Sequence, residues 1–125
     1  MSQSFAVFKL EDSEGFDTLE GFMKPLSVSE HVSVIYTTMS PHMKVRPHAH
    51  KSNGVVLVLK GSIEFVSNGI SFNLTEGSVA IIPANTEVGV NNAGVPTEMI
   101  MVSAPPSCKS IEELKARLQS FSKRS

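Results

Sequence analysis

The chain has 125 residues, of which 41 % are hydrophobic and 18 % charged, a composition typical of a globular rather than a disordered protein. Its 11 basic and 12 acidic residues leave a net charge of −1, so no basic field is available for a phosphate backbone and nucleic-acid binding is disfavoured. The length predicts a single domain over residues 1–125 that can bury a core of its own.

The cellular setting is predicted from cysteine content and apolar runs. The single cysteine, Cys108, cannot form an intrachain disulfide, which fits a reducing compartment. The first nine residues lack a basic region followed by a long apolar stretch, so we expect no secretory signal. The longest apolar run of strand type, residues 55–59, is far shorter than a membrane span. We therefore expect a cytoplasmic protein that has no membrane partner.

The predicted elements begin after an acidic segment. Residues 11–20 carry five acidic side chains and no basic one, and we expect a solvated loop there. From residue 28 to residue 104, short β-type runs alternate with turn signals, a pattern typical of an all-β sandwich or barrel. Strands are predicted near residues 31–39, 43–50, 54–60, 62–67, 70–74, 78–82, 86–90 and 96–103.

A β-hairpin is predicted in the middle of this region. Asn68-Gly69 is a preferred pair for a two-residue type I′ turn, because both positions need a positive φ. The register that this turn imposes matches apolar residues on one face and polar residues on the other. The predicted partners are Phe65 with Phe72, Ile63 with Leu74, and Glu64 with Asn73.

One α-helix is predicted, over residues 110–121. Ser110 with Glu113 three residues later forms a capping box at its start. Ile111, Leu114, Leu118 and Phe121 then follow at helical spacing. We expect this apolar stripe to pack on the outside of the β unit and the basic residues, Arg117 among them, to face solvent.

The strands carry motifs that identify a family. His48-Ala49-His50 forms an HxH pair followed by Gly61, and Gly77 is followed by Pro83 and Asn92. In these positions the chain resembles the cupins, whose motifs are G-x5-HxH-x3/4-E-x6-G and G-x5-P-x-G-x2-H-x3-N. The resemblance covers residues 40–102. It implies a double-stranded β-helix (jelly-roll) barrel with a C-terminal helix, in which the HxH pair faces the interior.

The resemblance also implies an incomplete metal site. Cupins commonly bind a divalent metal such as iron, nickel, zinc or manganese through two histidines, a glutamate and a third histidine. This chain keeps His48 and His50 as candidate ligands but has Gly54 and Val88 at the other two positions. Two imidazoles alone bind a metal weakly, so the metal is expected to be weakly bound or absent. His42 stands where the first motif has its glycine, and its role stays open.

A pocket for a small anion is the second expectation. Lys44 and Arg46 alternate with apolar residues in the stretch that leads to His48 and His50. Strict alternation along a strand therefore places the side chains of these two residues on the same face as the two imidazoles. Alone, this pattern is typical of a solvated face; if the HxH pair faces inward, the same face lines the barrel. The other candidate ligand contacts are Val56, Val58, Val88 and Asn92, although the valines could equally fill the barrel as core.

A second subunit is also expected. If Val56 faces inward, Val55, Leu57 and Leu59 face outward and need a cover, which the terminal helix, an N-terminal strand or another subunit could supply. Cupins of this size are often dimers, so a homodimer is expected.

Three functions remain open from the sequence. The first is a non-catalytic cupin that binds a small molecule, such as an organic anion. The second is a metal-dependent cupin enzyme, of dioxygenase or isomerase type, that acts on a small organic acid. The third, a purely structural dimerisation module, leaves the basic residues unexplained. We favour the first, because two of the four expected metal ligands are missing.

Overall fold

The structure is a computed structural model that describes residues 5–92 and 94–120. A 3₁₀ turn at Leu10–Asp12 comes first, and ten strands and one helix follow in this part of the chain. The strands are β1 (Phe16–Thr18), β2 (Gly21–Val28), β3 (Ser33–Met39), β4 (Lys44–His48), β5 (Asn53–Lys60), β6 (Ser62–Ser67), β7 (Ile70–Thr75), β8 (Val79–Ile82), β9 (Val88–Asn91) and β10 (Thr97–Ala104). The helix is α1 (Ile111–Ser120).

The strands form two antiparallel sheets. One has the order β1-β2-β3-β10-β5-β8 and the other the order β4-β9-β6-β7. The sheets enclose a core of seven buried residues that come from both of them: Met39, Val56, Val58, Ile63, Phe65, Leu74 and Met99. Two antiparallel sheets around one core, followed by a helix, confirm the predicted double-stranded β-helix architecture.

The predicted hairpin has the register that its turn requires. Asn68 and Gly69 both have positive φ values, 52° and 76°. The strands β6 and β7 pair Ile63 with Leu74 and Phe65 with Phe72, as predicted. The register follows from local chemistry, because this turn type fixes which residues face each other.

The β-structure begins earlier than predicted. The acidic segment contains the 3₁₀ turn and β1, and β2 follows it before residue 28. Expecting only a solvated loop there was wrong. Pro25 obscured β2, because proline lacks the N–H that a strand interior needs. Here the β2–β3 register shifts between Pro25 and Ser27, and this irregularity accommodates the proline.

The helix has the predicted cap but a different docking face. Glu113 N–H donates to the Ser110 hydroxyl at 3.1 Å, and the Glu113 carboxylate accepts the Lys109 N–H at 2.7 Å. Leu114 and Leu118 are buried in a cluster with Met23 and Cys108. Phe121, the last predicted apolar position, lies outside the described residues.

The prediction that α1 packs on the outside was wrong. Ile35 of β3 packs against the cluster that contains Leu114. Ile35 pairs with Met101 of β10, and Met101 pairs with the buried Val56 of β5. Directly paired residues share a face of the sheet, so the helix covers the inner face at the β1–β2 end. It closes one end of the space between the sheets.

The outer face of the six-stranded sheet therefore has no cover from α1. Two cross-strand rows of mostly apolar residues cross it, Val34–Val102–Val55–Ile81 and Tyr36–Ile100–Leu57–Val79. At the end of these rows, Val79 and Ile81 are 56 % and 68 % exposed. Of the three covers considered from the sequence, the helix is excluded for this face.

Candidate functional site

A cavity of about 450 Å³ lies between the sheets. Most of its wall is apolar, with Met39, Val56, Val88, Val90, Met99 and Met101 among the lining residues. Its ionisable lining residues are Glu20, His48, His50 and Arg117. A concave, largely apolar space with a few convergent polar groups is the usual form of a small-molecule site.

The strand β4 does not follow strict alternation. Val45 pairs with Val90 and His48 with Val88, so three steps on β4 match two on β9. This irregularity is a β-bulge, and it reverses which side chains face inward. The Pro47 ring fits against Gly89, where an added Cβ would lie 3.1 Å from its Cγ.

As a result, the expected basic column is split. Val45 and His48 both line the cavity, whereas Lys44 and Arg46 are exposed and are not among its lining residues. The expectation that Lys44 and Arg46 line the pocket is thus corrected, because the bulge at Pro47 shifts the parity between them and the histidines. The cationic lining residue is instead Arg117 of α1, which is also exposed to solvent, as expected.

The two histidines lie side by side at the cavity. Their ring centroids are 4.7 Å apart and their planes meet at 77°, an edge-to-face arrangement. Partial burial, followed by the proximity of His48, lowers the pKa of His50, and Glu20 opposes this effect. Lowering favours the uncharged imidazole, which can accept a hydrogen bond or bind a metal.

Hydrogen bonding fixes the orientation of His48. Its Nδ1 lies 2.9 Å from the Arg46 carbonyl oxygen. A carbonyl oxygen can only accept, so Nδ1 carries the proton and donates. The other nitrogen, Nε2, lies 3.7 Å from Oε2 of Glu20.

Glu20 is the site residue that sequence analysis missed. It lies in the turn between β1 and β2, where the Thr18 hydroxyl accepts the Glu20 N–H at 3.1 Å and donates to the Gly21 carbonyl at 2.7 Å. Thr18 is buried, so this turn holds Glu20 at the cavity. The acidic run concealed it, since the other four acids in residues 11–20 do not line the cavity.

Two of the predicted ligand contacts, Val58 and Asn92, are buried in the protein and do not line the cavity. Val58 is fully buried in the core and does not line the cavity. Asn92 is also buried, and its side-chain amide donates to the Met39 carbonyl at 3.2 Å and its oxygen accepts the Gly94 N–H at 3.3 Å. These bonds tie the segment after β9 to the end of β3. Val56 and Val88 do line the cavity.

A sequence profile of the cupin domain matches residues 35–103, which is more than half of the chain. The chain belongs to the cupin family. No curated protein matches it in sequence.

Solved cupin structures share the fold across most of the chain. An RmlC-like cupin from Shewanella frigidimarina has a TM-score of 0.73 at 20 % identity, covering 84 % of this chain and 95 % of the other. KdgF from a Halomonas species has a TM-score of 0.75 at 16 % identity, with coverages of 82 % and 94 %. The polyketide cyclase RemF from Streptomyces resistomycificus has a TM-score of 0.71 at 16 % identity, with coverages of 82 % and 80 %. At these identities the likeness establishes the fold alone.

Two glycine positions of the cupin motifs hold other residues in a left-handed backbone conformation. His42 and Asn85 stand at glycine positions of the two motifs, and each has a φ of 65°. This left-handed conformation favours glycine, and asparagine and histidine are the residues that adopt it several-fold more often than others. His42 is exposed and does not line the cavity, so its position is explained by the turn rather than by the site.

The metal ligands of a cupin are incomplete in this chain. Gly54 and Val88 both line the cavity at the positions of the missing ligands, and Val88 lies directly across from His48. Within residues 5–92 and 94–120, no three side chains of His, Cys, Asp or Glu are grouped so that they could hold a metal ion. The described residues therefore do not fit a tightly held metal.

Proposed function

We propose that this cupin binds a small organic molecule, with an apolar body and an anionic group, in the cavity between its sheets. The observation that carries the proposal is the cavity itself, which has a largely apolar wall and four ionisable lining residues. Its volume of about 450 Å³ lies within the range of small-molecule sites, roughly 300–1,000 Å³.

The preference for an anion rests on Arg117. Its Nη1 donates to the Ser107 carbonyl at 3.3 Å, which holds the side chain near the cavity. A guanidinium has five N–H groups, so others remain for a carboxylate. Arg117 thereby takes the role that Lys44 and Arg46 had in the sequence-based expectation.

The experiment compares hexanoate with hexanamide, which match in size and differ in charge. Isothermal titration is expected to show hexanoate binding more tightly to the wild type, and Arg117→Gln is expected to remove that preference. Gly54→Leu should abolish binding of both compounds, because Gly54 lines the cavity and an added Cβ meets nothing closer than 3.7 Å. Glu112→Leu, on the exposed face of α1, is the matched control and should bind normally. Unchanged hexanoate affinity in Gly54→Leu would contradict the proposal.

The metal is a further proposal. We propose that iron, nickel, zinc or manganese is held weakly or not at all, because His48 and His50 lack the two partners of a complete set. Metal analysis of protein purified without a histidine tag should then find less than one ion per chain. Gly54→Glu combined with Val88→His should restore a stoichiometric metal. One ion per wild-type chain, lost in His48→Ala/His50→Ala, would instead favour a metal-dependent enzyme acting on a small organic acid.

Two properties of the whole protein complete the proposal. A homodimer would cover the apolar outer face of the six-stranded sheet. A cytoplasmic location is compatible with Cys108, which is free and buried. Subcellular fractionation of the source cells would test the location. In the described residues, no helix has the length and apolar character needed to cross a bilayer.

A further inference from the structure

The wall of the cavity brings together side chains that are far apart in the sequence. Glu20 comes from the β1–β2 turn, whereas His48 and His50 belong to β4 and the segment after it. Glu20 has no counterpart in either cupin motif. Its carboxylate nonetheless lies 3.7 Å from the Nε2 atom of His48, and both residues line the cavity.

The Glu20 carboxylate and the Nε2 atom of His48 can both accept a hydrogen bond from a ligand. The Nδ1 proton of His48 is already donated to the Arg46 carbonyl at 2.9 Å. In the neutral ring, Nε2 then presents a lone pair, and an ionised Glu20 can only accept. Two hydrogen-bond acceptors therefore sit next to each other, with no donor of their own between them.

The other charged or titratable residues that line the cavity do not supply a hydrogen-bond donor from β4 or the β1–β2 turn. His50 contacts the His48 ring edge to face, with the ring centroids 4.7 Å apart, and so does not lie between His48 Nε2 and Glu20 as an element of this pair. Arg117 supplies N–H donors from α1, a different element. The cavity thus offers donors from the helix and an acceptor pair from β4 and the β1–β2 turn.

We propose that Glu20 and His48 form an acceptor pair that selects ligands carrying a hydroxyl donor. The inference rests on the proposed small-molecule function and specifies its ligand as a hydroxyl-bearing compound. The hydroxyl donates to Nε2 of His48 or to the Glu20 carboxylate, while the apolar body lies against Val88 and Val56. An anionic group on the same ligand is repelled by Glu20 and is directed toward Arg117.

The test uses phenol and anisole, which share an apolar ring and differ in the O–H donor. Wild-type protein should bind phenol about tenfold more tightly than anisole, the effect of one hydrogen bond to a charged or strongly accepting group. Glu20→Gln and His48→Phe should each reduce the phenol preference to about twofold or less and leave anisole affinity unchanged. If Glu20 and His48 had a purely structural role, these substitutions would instead weaken the binding of phenol and of anisole alike.

Glu14→Gln is the matched control, because Glu14 belongs to the same acidic segment but is exposed and does not line the cavity. It should keep the full phenol preference. Equal affinity of the wild type for phenol and anisole would overturn the acceptor pair while leaving the cavity proposal intact. Binding of neither compound, together with no hexanoate binding, would overturn both.

Imidazole ¹⁵N spectra give a second readout that needs no ligand. Neutral His48 should carry its proton on Nδ1, and the Nε2 resonance should move in Glu20→Gln but not in Glu14→Gln. A proton on Nε2, or an Nε2 resonance that is indifferent to Glu20, would overturn the inference even if phenol binds.

Discussion

Tyr36 can serve as a site-specific spectroscopic probe of this protein. The chain has one tyrosine and no tryptophan, and the Tyr36 hydroxyl donates to Oε1 of Glu98 at 2.7 Å. Burial, followed by the hydrogen bond to Glu98 and its negative charge, raises the pKa of Tyr36 to about 12. All three causes disfavour the phenolate.

An ultraviolet absorbance titration should therefore show the phenolate forming near pH 12 in the folded protein, against about 10 for an unfolded chain. Because the folded pKa is the higher one, the contribution to stability is complete below about pH 10 and is lost as the pH rises toward 12. Glu98→Gln should lower the midpoint but keep it above 10, since burial remains. Glu112→Gln is the control and should change nothing. A wild-type midpoint near 10 would contradict the prediction.

At the same scale, the histidine pair was predictable and its neighbours were not. His48 and His50 could be found because two residues separated by one share a face of a strand and because the HxH pattern is a family motif. Glu20 is 28 positions earlier than His48, and its approach depends on how β1 and β2 join the sheet. Nothing in a single sequence marks such a tertiary contact within a run of five acids.

At the scale of elements, α1 should contribute to stability through its buried leucines. Leu114 is 2 % exposed, packs with Met23 and Cys108, and also lines the cavity. Leu114→Ala should lower the free energy of unfolding by about 2–5 kcal/mol, because the lost burial adds to the cavity left behind. Urea unfolding monitored by circular dichroism measures this change.

The control for that measurement is Glu112→Ala on the exposed side of the same helix. It should stay within about 0.5 kcal/mol of the wild type. A loss below about 1 kcal/mol for Leu114→Ala would show that the helix is not docked on the inner face, since only a weakly buried leucine can be truncated at so small a cost.

Element boundaries were predictable where local chemistry sets them. The Asn68-Gly69 turn fixed the β6–β7 register, and Ser110 with Glu113 fixed the start of α1. The bulge in β4 was not predictable, because alternation assumes one residue of β4 for each residue of β9. Pro47 signals that a strand can be irregular, but the direction of the change depends on its contact with Gly89.

At the scale of the whole molecule, the outer face of the six-stranded sheet should associate with a second copy. Its two cross-strand rows, defined above, end in the exposed side chains of Val79 and Ile81, and apolar faces of this kind mark interaction sites. A twofold interface uses the same patch on both subunits, so one substitution acts twice. Ile81→Glu should therefore convert a dimer into a monomer.

Sedimentation equilibrium at micromolar concentration measures the outcome, with 13.5 kDa expected for the monomer and twice that mass for the wild type. Ile70→Glu is the matched control, since Ile70 is an isoleucine of β7 that is 58 % exposed on the other sheet. It should remain dimeric. Tyr36 lies in one of the two rows, so its fluorescence should change when Ile81→Glu dissociates the subunits and stay constant in Ile70→Glu. A monomeric wild type would leave the apolar face without its proposed partner, and dissociation by Ile70→Glu alone would place the interface on the four-stranded sheet.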